Sequence, residues 1–396
     1  MDVIVDTASL EALCSRLSSA PYVTVDTEFM REKTYWPRLC LVQIAGPDDS
    51  AVIDPLASGI ELGSLLALLG DEGVLKVFHA ARQDVEIFYH LMGKVPAPLF
   101  DTQIAAMVCG FGEQVSYETL VAQLVGARID KTSRFTDWSQ RPLSERQLSY
   151  ALADVTHMRK IYENLRVRLG RSKRDSWLEE EIAALIDPSA YRLDPHTAWQ
   201  RLKPRGMSPR SLAVLREATA WREREAQRRD LPRNRIVRDE ALLEIAASRP
   251  KRVADLARVR ALPRAVAEGA FGDGILAAVA RGEAVPEAEC PNLPDRPQLP
   301  RGIGPVVELL KVLLKSKCET HHVAAKIVAS VGDLERIAAG ESDVAALHGW
   351  RHGVFGADAL ALIEGRLALA VTGRRLEMVE RVPPALEQRR SGRRRA

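Results

Sequence analysis

The sequence has few cysteines and no long apolar run. Its five cysteines, Cys14, Cys40, Cys109, Cys290 and Cys318, are odd in number and none lies close to another. That argues against a disulfide framework and a zinc knuckle, and leaves them as reduced core residues. No apolar stretch approaches the roughly 18 residues that a membrane span needs. The opening Met1-Asp2-Val3-Ile4-Val5-Asp6 is acidic, where a secretory leader would begin with basic residues. A cytoplasmic location without a membrane partner is expected. Neither a dinucleotide glycine fingerprint nor a phosphate-loop Gly-Lys-Ser/Thr follows a strand, which argues against a nucleotide-cofactor enzyme.

What the chain does contain is an uneven distribution of charge. Its 396 residues are 46% apolar and 28% charged, enough for two or three domains with proper cores. The net charge of +3 conceals 16 Lys and Arg against 22 Asp and Glu in residues 1–170, and 40 against 31 in residues 171–396. Residues 196–283 alone hold 19 against 11, and the tail from Gly373 holds 8 against 3. A basic module joined to an acidic one suits a polyanion held by the first and worked on by the second. Helical surfaces that use arginine for solubility would give the same balance.

The acidic part is organised around Val23-Thr24-Val25-Asp26-Thr27-Glu28-Phe29. This run reads as a buried strand, yet Asp26 and Glu28, two residues apart, leave it on one face, while Val23, Val25 and Thr27 take the other. Two carboxylates on one face repel unless a cation lies between them, and a divalent metal would make the pair a chelate. Around it, a helix over Ala8–Leu17 precedes the strand. Strands at Leu39–Ala45 and Ala51–Asp54 follow it, close enough for an antiparallel meander. Beyond them the pattern alternates: helix 62–69, strand Val74–Phe78, helix Asp84–Met92, a strand stub at Leu99-Phe100, and helix Thr102–Cys109. The fold class is therefore α/β with a mixed sheet.

Three further positions carry chemistry. Asp84 stands at the head of a helix after a buried strand, where capping alone would account for it. Ser144-Glu145-Arg146-Gln147 forms a capping box and opens a helix with an apolar stripe of Leu148, Leu152, Val155 and Tyr162. On that helix Tyr150 and Asp154 lie one turn apart, about 200° and 240° from Leu148 and so opposite the stripe. Asp101, before Thr102, is a structural cap.

The ordered set of a strand Asp-x-Glu, a helix-start Asp and a helix Tyr-x-x-x-Asp resembles the DEDD superfamily of 3′→5′ exonucleases. The spacing is that of its tyrosine subclass, since Ser149 stands where the other subclass has histidine. The resemblance extends to the stretches Tyr35-Trp36-Pro37-Arg38-Leu39, Phe78-His79-Ala80-Ala81-Arg82-Gln83-Asp84, Asp137-Trp138 and Arg141-Pro142-Leu143. Together these look like the bacterial ribonuclease D family over most of residues 1–170. The resemblance implies a ribonuclease-H-like sheet with flanking helices and two-metal-ion hydrolysis, with Mg²⁺ or Mn²⁺, of RNA 3′ ends, transfer-RNA precursors among them. A monomer is expected. Asp26 would bridge the ions, Glu28 and Asp154 would complete the site that activates water, Asp84 would hold the second ion, and Tyr150 would orient the water. Phe29, Tyr35 and Trp36 are candidates for stacking on terminal bases or for packing against the sheet. A DNA-directed exonuclease and a non-catalytic RNA scaffold are the alternatives; the presence of all five site residues argues against the scaffold.

Downstream, Ser208-Pro209 caps a helix running through Leu212, Leu215 and Trp221 to Asp230-Leu231-Pro232, with shorter helices near Asp239–Ala247 and Val253–Leu256. This looks like the HRDC-type nucleic-acid-binding helical module shared by RecQ-type helicases and the ribonuclease D family. The implied organisation is an exonuclease domain at 1–170, a connecting helix and linker at 171–195, and the helical module at 196–283. A proline-rich linker at 284–300, a second small all-α domain at 301–372 and an Arg-rich disordered tail at 373–396 follow. The family leads one to expect a diverged second copy at 301–372, although no repeat is visible in the letters.

Overall fold

The computed structural model describes residues 3–130, 136–293 and 300–382. Strand β1 (Val3–Ile4) is followed by helix α1 (Thr7–Leu17), whose N-terminus is closed by Asp6 accepting the Ser9 N–H at 2.8 Å. Then come β2 (Tyr22–Met30), β3 (Arg38–Ala45) and β4 (Ser50–Ile53), an antiparallel meander. Helix α2 (Gly63–Leu69), β5 (Leu75–Phe78), α3 (Arg82–Met92) and β6 (Leu99–Asp101) alternate after it. The six strands form one mixed sheet in the order β1-β4-β3-β2-β5-β6, with β5 parallel to β2 and β6. Short connections allow antiparallel neighbours, and the crossovers through helices force parallel ones. Val23, Val25, Leu41, Val42, Ile44, Val52, Ile53, Val77 and Phe78 are fully buried, each contributing about 1.5–3 kcal/mol of transfer free energy.

Helices α4 (Thr102–Val108) and α5 (Tyr117–Leu120) precede the long α6 (Glu145–Ser172) and α7 (Asp175–Leu185). The capping box at the start of α6 is formed: the Ser144 N–H donates to Gln147 Oε1 at 3.0 Å and the Gln147 N–H to Ser144 Oγ at 3.3 Å. The buried Thr24 hydroxyl donates to the Val155 carbonyl at 2.9 Å and fastens α6 to the face of β2 that carries Asp26 and Glu28.

The chain divides into two compact units that do not follow chain order. One comprises Met1–Asp101, Val125–Ile161 and Ala183–Arg296; the other comprises Thr102–Leu124, Tyr162–Ile182 and Pro297–Ala396. Residues 102–124 and 162–170, expected within a first domain, thus group with the C-terminal residues.

In the first unit, α8 (Pro209–Arg229) packs against α13 (Gly272–Ala284), with α9 (Arg233–Ile236), α10 (Asp239–Ser248), α11 (Val253–Leu256) and α12 (Arg264–Ala267) between them in sequence. Gly282 lets the two backbones approach, since a Cβ there would lie 2.4 Å from Val214 Cα. The second unit contains α14 (Gly304–His321), α15 (Ala325–Val328), α16 (Val331–Ala338), α17 (Gly349–Arg351) and α18 (Ala357–Ile363). Helices α8 and α14 both end in a left-handed residue, Asp230 and His322. In both modules a four-residue helix begins three positions later and the next helix three positions after that one ends.

The C-terminal segment departs from an all-α domain followed by a disordered tail. Strands β7 (Leu367–Thr372) and β8 (Arg375–Glu380) form a hairpin in which Thr372 pairs with Arg375. Gly373, at φ +63°, takes the first position of the two-residue loop, where a type II′ turn requires glycine. The alternation in Arg375-Leu376-Glu377-Met378-Val379-Glu380 was hidden by its arginine content. Residues 383–396 of the expected tail, and 294–299 of the expected linker, lie outside the described residues.

Candidate active site

Strand β2 delivers the first two carboxylates as its alternation requires. Val23, Val25 and Thr27 are buried on one face, while Asp26 and Glu28 keep partial exposure on the other. The pairing of β2 with β3 shifts register between Glu28 and Phe29, with Cys40 as the extra residue. Such a bulge re-aims side chains where a strand leaves the sheet.

Helix α6 brings Tyr150 and Asp154 over that face. The sequence pattern put both residues opposite an apolar stripe, and the structure corrects this. The buried positions of α6 run through Ala151, Asp154, Val155, Met158 and Ile161, whereas Leu148 and Leu152 are only half-buried. Asp154, 5% exposed, therefore faces inward. The helix packs by its small residue, Ala151, against Cys40, Leu41 and Val52 of β3 and β4, and that packing selects the buried face. One carboxylate oxygen from each of Asp26, Glu28 and Asp154 lies within 4.8 Å of the other two.

Asp84 occupies the first turn of α3 without capping it: the N-cap is Ala81 and no side chain closes that end. Its carboxylate is buried and accepts a hydrogen bond from the Thr27 hydroxyl. Asp101, assigned from sequence as a cap of its own helix, instead accepts the N–H groups of Ala80 and Ala81, at 3.2 and 2.8 Å. It thereby holds the turn into α3, where Ala80 adopts φ +55°, a region that costs a residue with a Cβ about 1–3 kcal/mol. Thr27 and Asp101 are positioning residues that nothing in the spacing reveals, because each acts through a partner distant in sequence.

The electrostatics follow from burial and crowding. Desolvation pushes the Asp26 carboxyl up to about 6, against a hydrogen bond from the Thr27 N–H that lowers it. Burial, then the Asp26 charge, drive Asp84 well above the ordinary carboxylate range. The Tyr150 phenol is raised by burial first, then by the charges of Asp154, Glu28 and Asp26 and by a hydrogen bond with Asp154. A phenol so raised stays protonated at neutral pH and acts as a donor. The four carboxylates supply only hard oxygen donors, and burial together with their mutual repulsion holds Asp26 and Asp84 above the ordinary carboxylate range. The residues present therefore fit a divalent, oxygen-preferring ion.

The aromatic loop after β2 does something other than stack on bases. Tyr35 is 6% exposed and belongs to one apolar core with Trp199, Leu212 and Leu215 of the helical module. Its hydroxyl bonds to Glu223 and lies 3.0 Å from Gln227 Nε2 and 2.9 Å from an Arg233 guanidinium nitrogen. The N–H groups of Tyr35 and Trp36 both donate to Asp230 Oδ1 at 3.0 Å. Trp36 stacks on His90 with ring centroids 4.0 Å apart. Tyr35 is thus removed from the substrate-binding candidates, because both its ring and its hydroxyl are enclosed by α8 and α9. Phe29 remains half-exposed next to Glu28. The loop into α6 is held by Arg141, whose guanidinium binds Asp54 through two nitrogens at 2.6 Å and also donates to the Cys40 and Trp138 carbonyls.

Comparison with known proteins gives the family of the chain. Residues 1–170 match the family model described as 3′-5′ exonuclease, and residues 211–279 match the HRDC domain. A protein named Ribonuclease D from Gluconacetobacter diazotrophicus is 53% identical over 382 residues, covering 96% of both chains. A second Ribonuclease D, from Granulibacter bethesdensis, is 52% identical and covers 95% of this chain and 96% of that one. The crystal structure of Escherichia coli RNase D, an exoribonuclease involved in structured RNA processing, matches with a TM-score of 0.78 at 30% identity. It covers 92% of this chain and 98% of that one.

Proposed function

This chain belongs to the ribonuclease D family of 3′→5′ exoribonucleases, and from that premise we propose that it shortens RNA from a free 3′ hydroxyl and releases 5′-mononucleotides. The observation that carries the assignment of residues is the convergence of Asp26, Glu28 and Asp154 within 4.8 Å, drawn from a strand and a helix far apart in sequence. The exonuclease domain is metal-dependent, and its acidic cluster is present. Asp26, Glu28, Asp84 and Asp154 would hold the ions, two in number and Mg²⁺ or Mn²⁺. When bound, such ions neutralise charge on the phosphoryl group and the leaving 3′ oxygen and lower the pKa of water.

The chain's own groups position the reactants. Tyr150, protonated and tied to Asp154, presents its phenol to the water that attacks the phosphorus, and acts by orientation because it is too weak an acid to exchange the proton at neutral pH. Thr27 and Asp101 keep Asp84 and its turn in place. Half-exposed Phe29 offers a face to the terminal base. The basic helical module at 196–283 grips phosphates upstream. Its element order recurs at 301–372, which supports reading that segment as a second copy. Precursors of transfer RNA as substrates, a monomeric state and a cytoplasmic location complete the proposal; no helix among the described residues is long and apolar enough to cross a membrane.

The test uses 3′-labelled and 5′-labelled RNA, circular RNA and matched DNA, with Mg²⁺, Mn²⁺ or EDTA. Metal-dependent release of single nucleotides from linear RNA is expected. Cleavage in excess EDTA, or of the circle, overturns the proposal, and equal turnover of DNA would favour the DNA-directed alternative.

A further inference from the structure

A cavity of about 140 Å³ lies between the start of the aromatic loop, the start of α3 and the helical module. Four arginines line it, Arg31, Arg82, Arg201 and Arg233, against one carboxylate, Glu86. Two of the four are already paired. Arg31 bonds to Glu86 at 2.6 Å, and Arg233 binds the buried Glu223 and lies over the Tyr35 ring, 4.6 Å from its centroid. Among the described residues, Arg82 meets the Ala190 carbonyl at a long 3.4 Å and the Tyr191 ring at 5.5 Å. Neither Arg82 nor Arg201 has a carboxylate partner among the described residues. The cavity therefore holds an uncompensated positive charge in a partly enclosed space.

Its size and place narrow what it takes. The volume exceeds the roughly 30 Å³ share of one water several-fold, but falls below the roughly 300–1,000 Å³ of pockets that enclose a whole small molecule. It suits a group the size of a phosphate. Arg82 opens α3 two residues before Asp84, and Arg31 follows Glu28 by three residues, about 10 Å along an extended chain. Planar guanidinium forks match phosphate oxygens, which makes arginine the natural residue for such a role.

We propose that this cavity is a phosphate subsite that holds a backbone phosphate of the substrate RNA upstream of the scissile one, with Arg82 and Arg201 as its principal donors. The inference rests on the exonuclease reading above. Because Arg82 comes from the exonuclease fold and Arg201 from the start of the helical module, one phosphate gripped by both would align the two parts on the same strand of RNA. The docking of Tyr35 on α8 and α9 keeps those parts in register.

The test compares wild-type protein with Arg82→Gln/Arg201→Gln, and with Arg82→Lys/Arg201→Lys, on single-stranded oligonucleotides carrying one neutral methylphosphonate linkage walked upstream from the 3′ end. Both arginines are exposed, so the glutamine variant should keep the wild-type Tm. Its KM on unmodified RNA should rise about tenfold, roughly 1.4 kcal/mol, with a much smaller change in kcat. Its dependence of log affinity on log salt should be shallower by about 0.7, the share of the one phosphate contact that is lost. In the wild type one methylphosphonate position should reproduce the tenfold rise, and in the glutamine variant that position should add nothing. Lysine should restore part of the affinity, because it keeps the charge without the fork. An unchanged KM, or a methylphosphonate effect equal at every position in both proteins, overturns the subsite while leaving the exonuclease reading intact. Weakened inhibition by a free 5′-mononucleotide without any positional effect would make the cavity a product site and overturns the proposal too. A wild-type protein that fails to degrade unmodified RNA overturns the exonuclease reading, and the subsite with it.

Discussion

The carboxylate-bearing end of β2 and the helical module it meets manage charge in opposite ways. At Asp26 and Asp84 like charges are gathered in a buried place, and burial raises both carboxyls above their ordinary range. In the module at 196–283 the excess is of positive charge, and its exposed members include arginines paired over short spans, Arg252 with Asp255 and Arg264 with Glu268. Buried charges in the module are paired: Glu223, 1% exposed, is held by Arg233 and Tyr35, and Arg222, 3% exposed, by Asp239. Buried charge is there to be met by a partner, whether a metal, an arginine or a phosphate; exposed charge contributes little to the fold and acts at long range on polyanions.

Several outcomes would break or sharpen that contrast. The largest effect is expected from Asp26→Asn, which keeps the shape and removes charge from the metal site. Hydrolysis should be lost nearly completely, with RNA binding by the catalytically dead protein largely retained, because affinity comes from Lys and Arg contacts to phosphates. Wild-type turnover in a labelled-RNA assay would show that the buried cluster is not the active centre. Next is Tyr150→Phe, which deletes one hydroxyl and keeps the ring. A fall in kcat of roughly 10²–10⁴ with little change in KM is expected for a positioned proton-handling group. Equal rates at saturating RNA would mean the tyrosine only packs, near Trp138.

Stability separates the two regions as well. Arg233→Ala leaves Glu223 buried without its guanidinium, and should destabilise the protein by roughly 3 kcal/mol in a denaturant titration. Arg264→Gln, which breaks a fully exposed pair, should leave Tm unchanged within about a degree. Parity between them would remove the distinction between buried and exposed charge.

The smallest expected effect is on pH. Because the folded Asp26 carboxyl lies near 6 rather than at its ordinary 3.8, its share of metal-free stability is full below about pH 4 and is lost as pH rises through 6. Metal-free protein should therefore melt lower at pH 8 than at pH 5, by a few degrees, and Mg²⁺ should recover the difference only at the higher pH. Asp26→Asn should flatten the pH profile and abolish the recovery. Calorimetry with and without EDTA measures both, and a metal effect that persists in the variant would place the ion elsewhere.

The candidate site has a strand component with a two-residue period and a helix component with a four-residue one, and local periods of this kind are visible in a sequence. Asp26, Glu28, Asp84, Tyr150 and Asp154 are uninformative one by one, and it is their order and spacing as a set that resembles the exonuclease superfamily. The face of α6 was misjudged for a related reason: Leu148 and Leu152 outweigh Ala151 in apolarity, yet the small residue packs closest. Tyr35 was read as a base-stacking candidate because its partners, Glu223 and Arg233, stand almost 200 residues away. The correspondence of the two helical modules escaped the letters but not the backbone, since left-handed caps and helix lengths tolerate different residues, aspartate at one and histidine at the other. The charge does not repeat either: residues 301–372 hold eight Lys and Arg against eight Asp and Glu.

By itself, then, the sequence determined the periodic features: which residues alternate along β2, where α6 starts, which stretches are helical, and that one half is acidic and the other basic. These depend on neighbours a few positions apart, which a chain carries wherever it goes. Only the tertiary structure decided that Thr27 and Asp101 support Asp84, that Tyr35 is enclosed by the helical module, and that four arginines from separate segments surround one cavity. Such groupings depend on which distant surfaces exclude water together, and no local period encodes that.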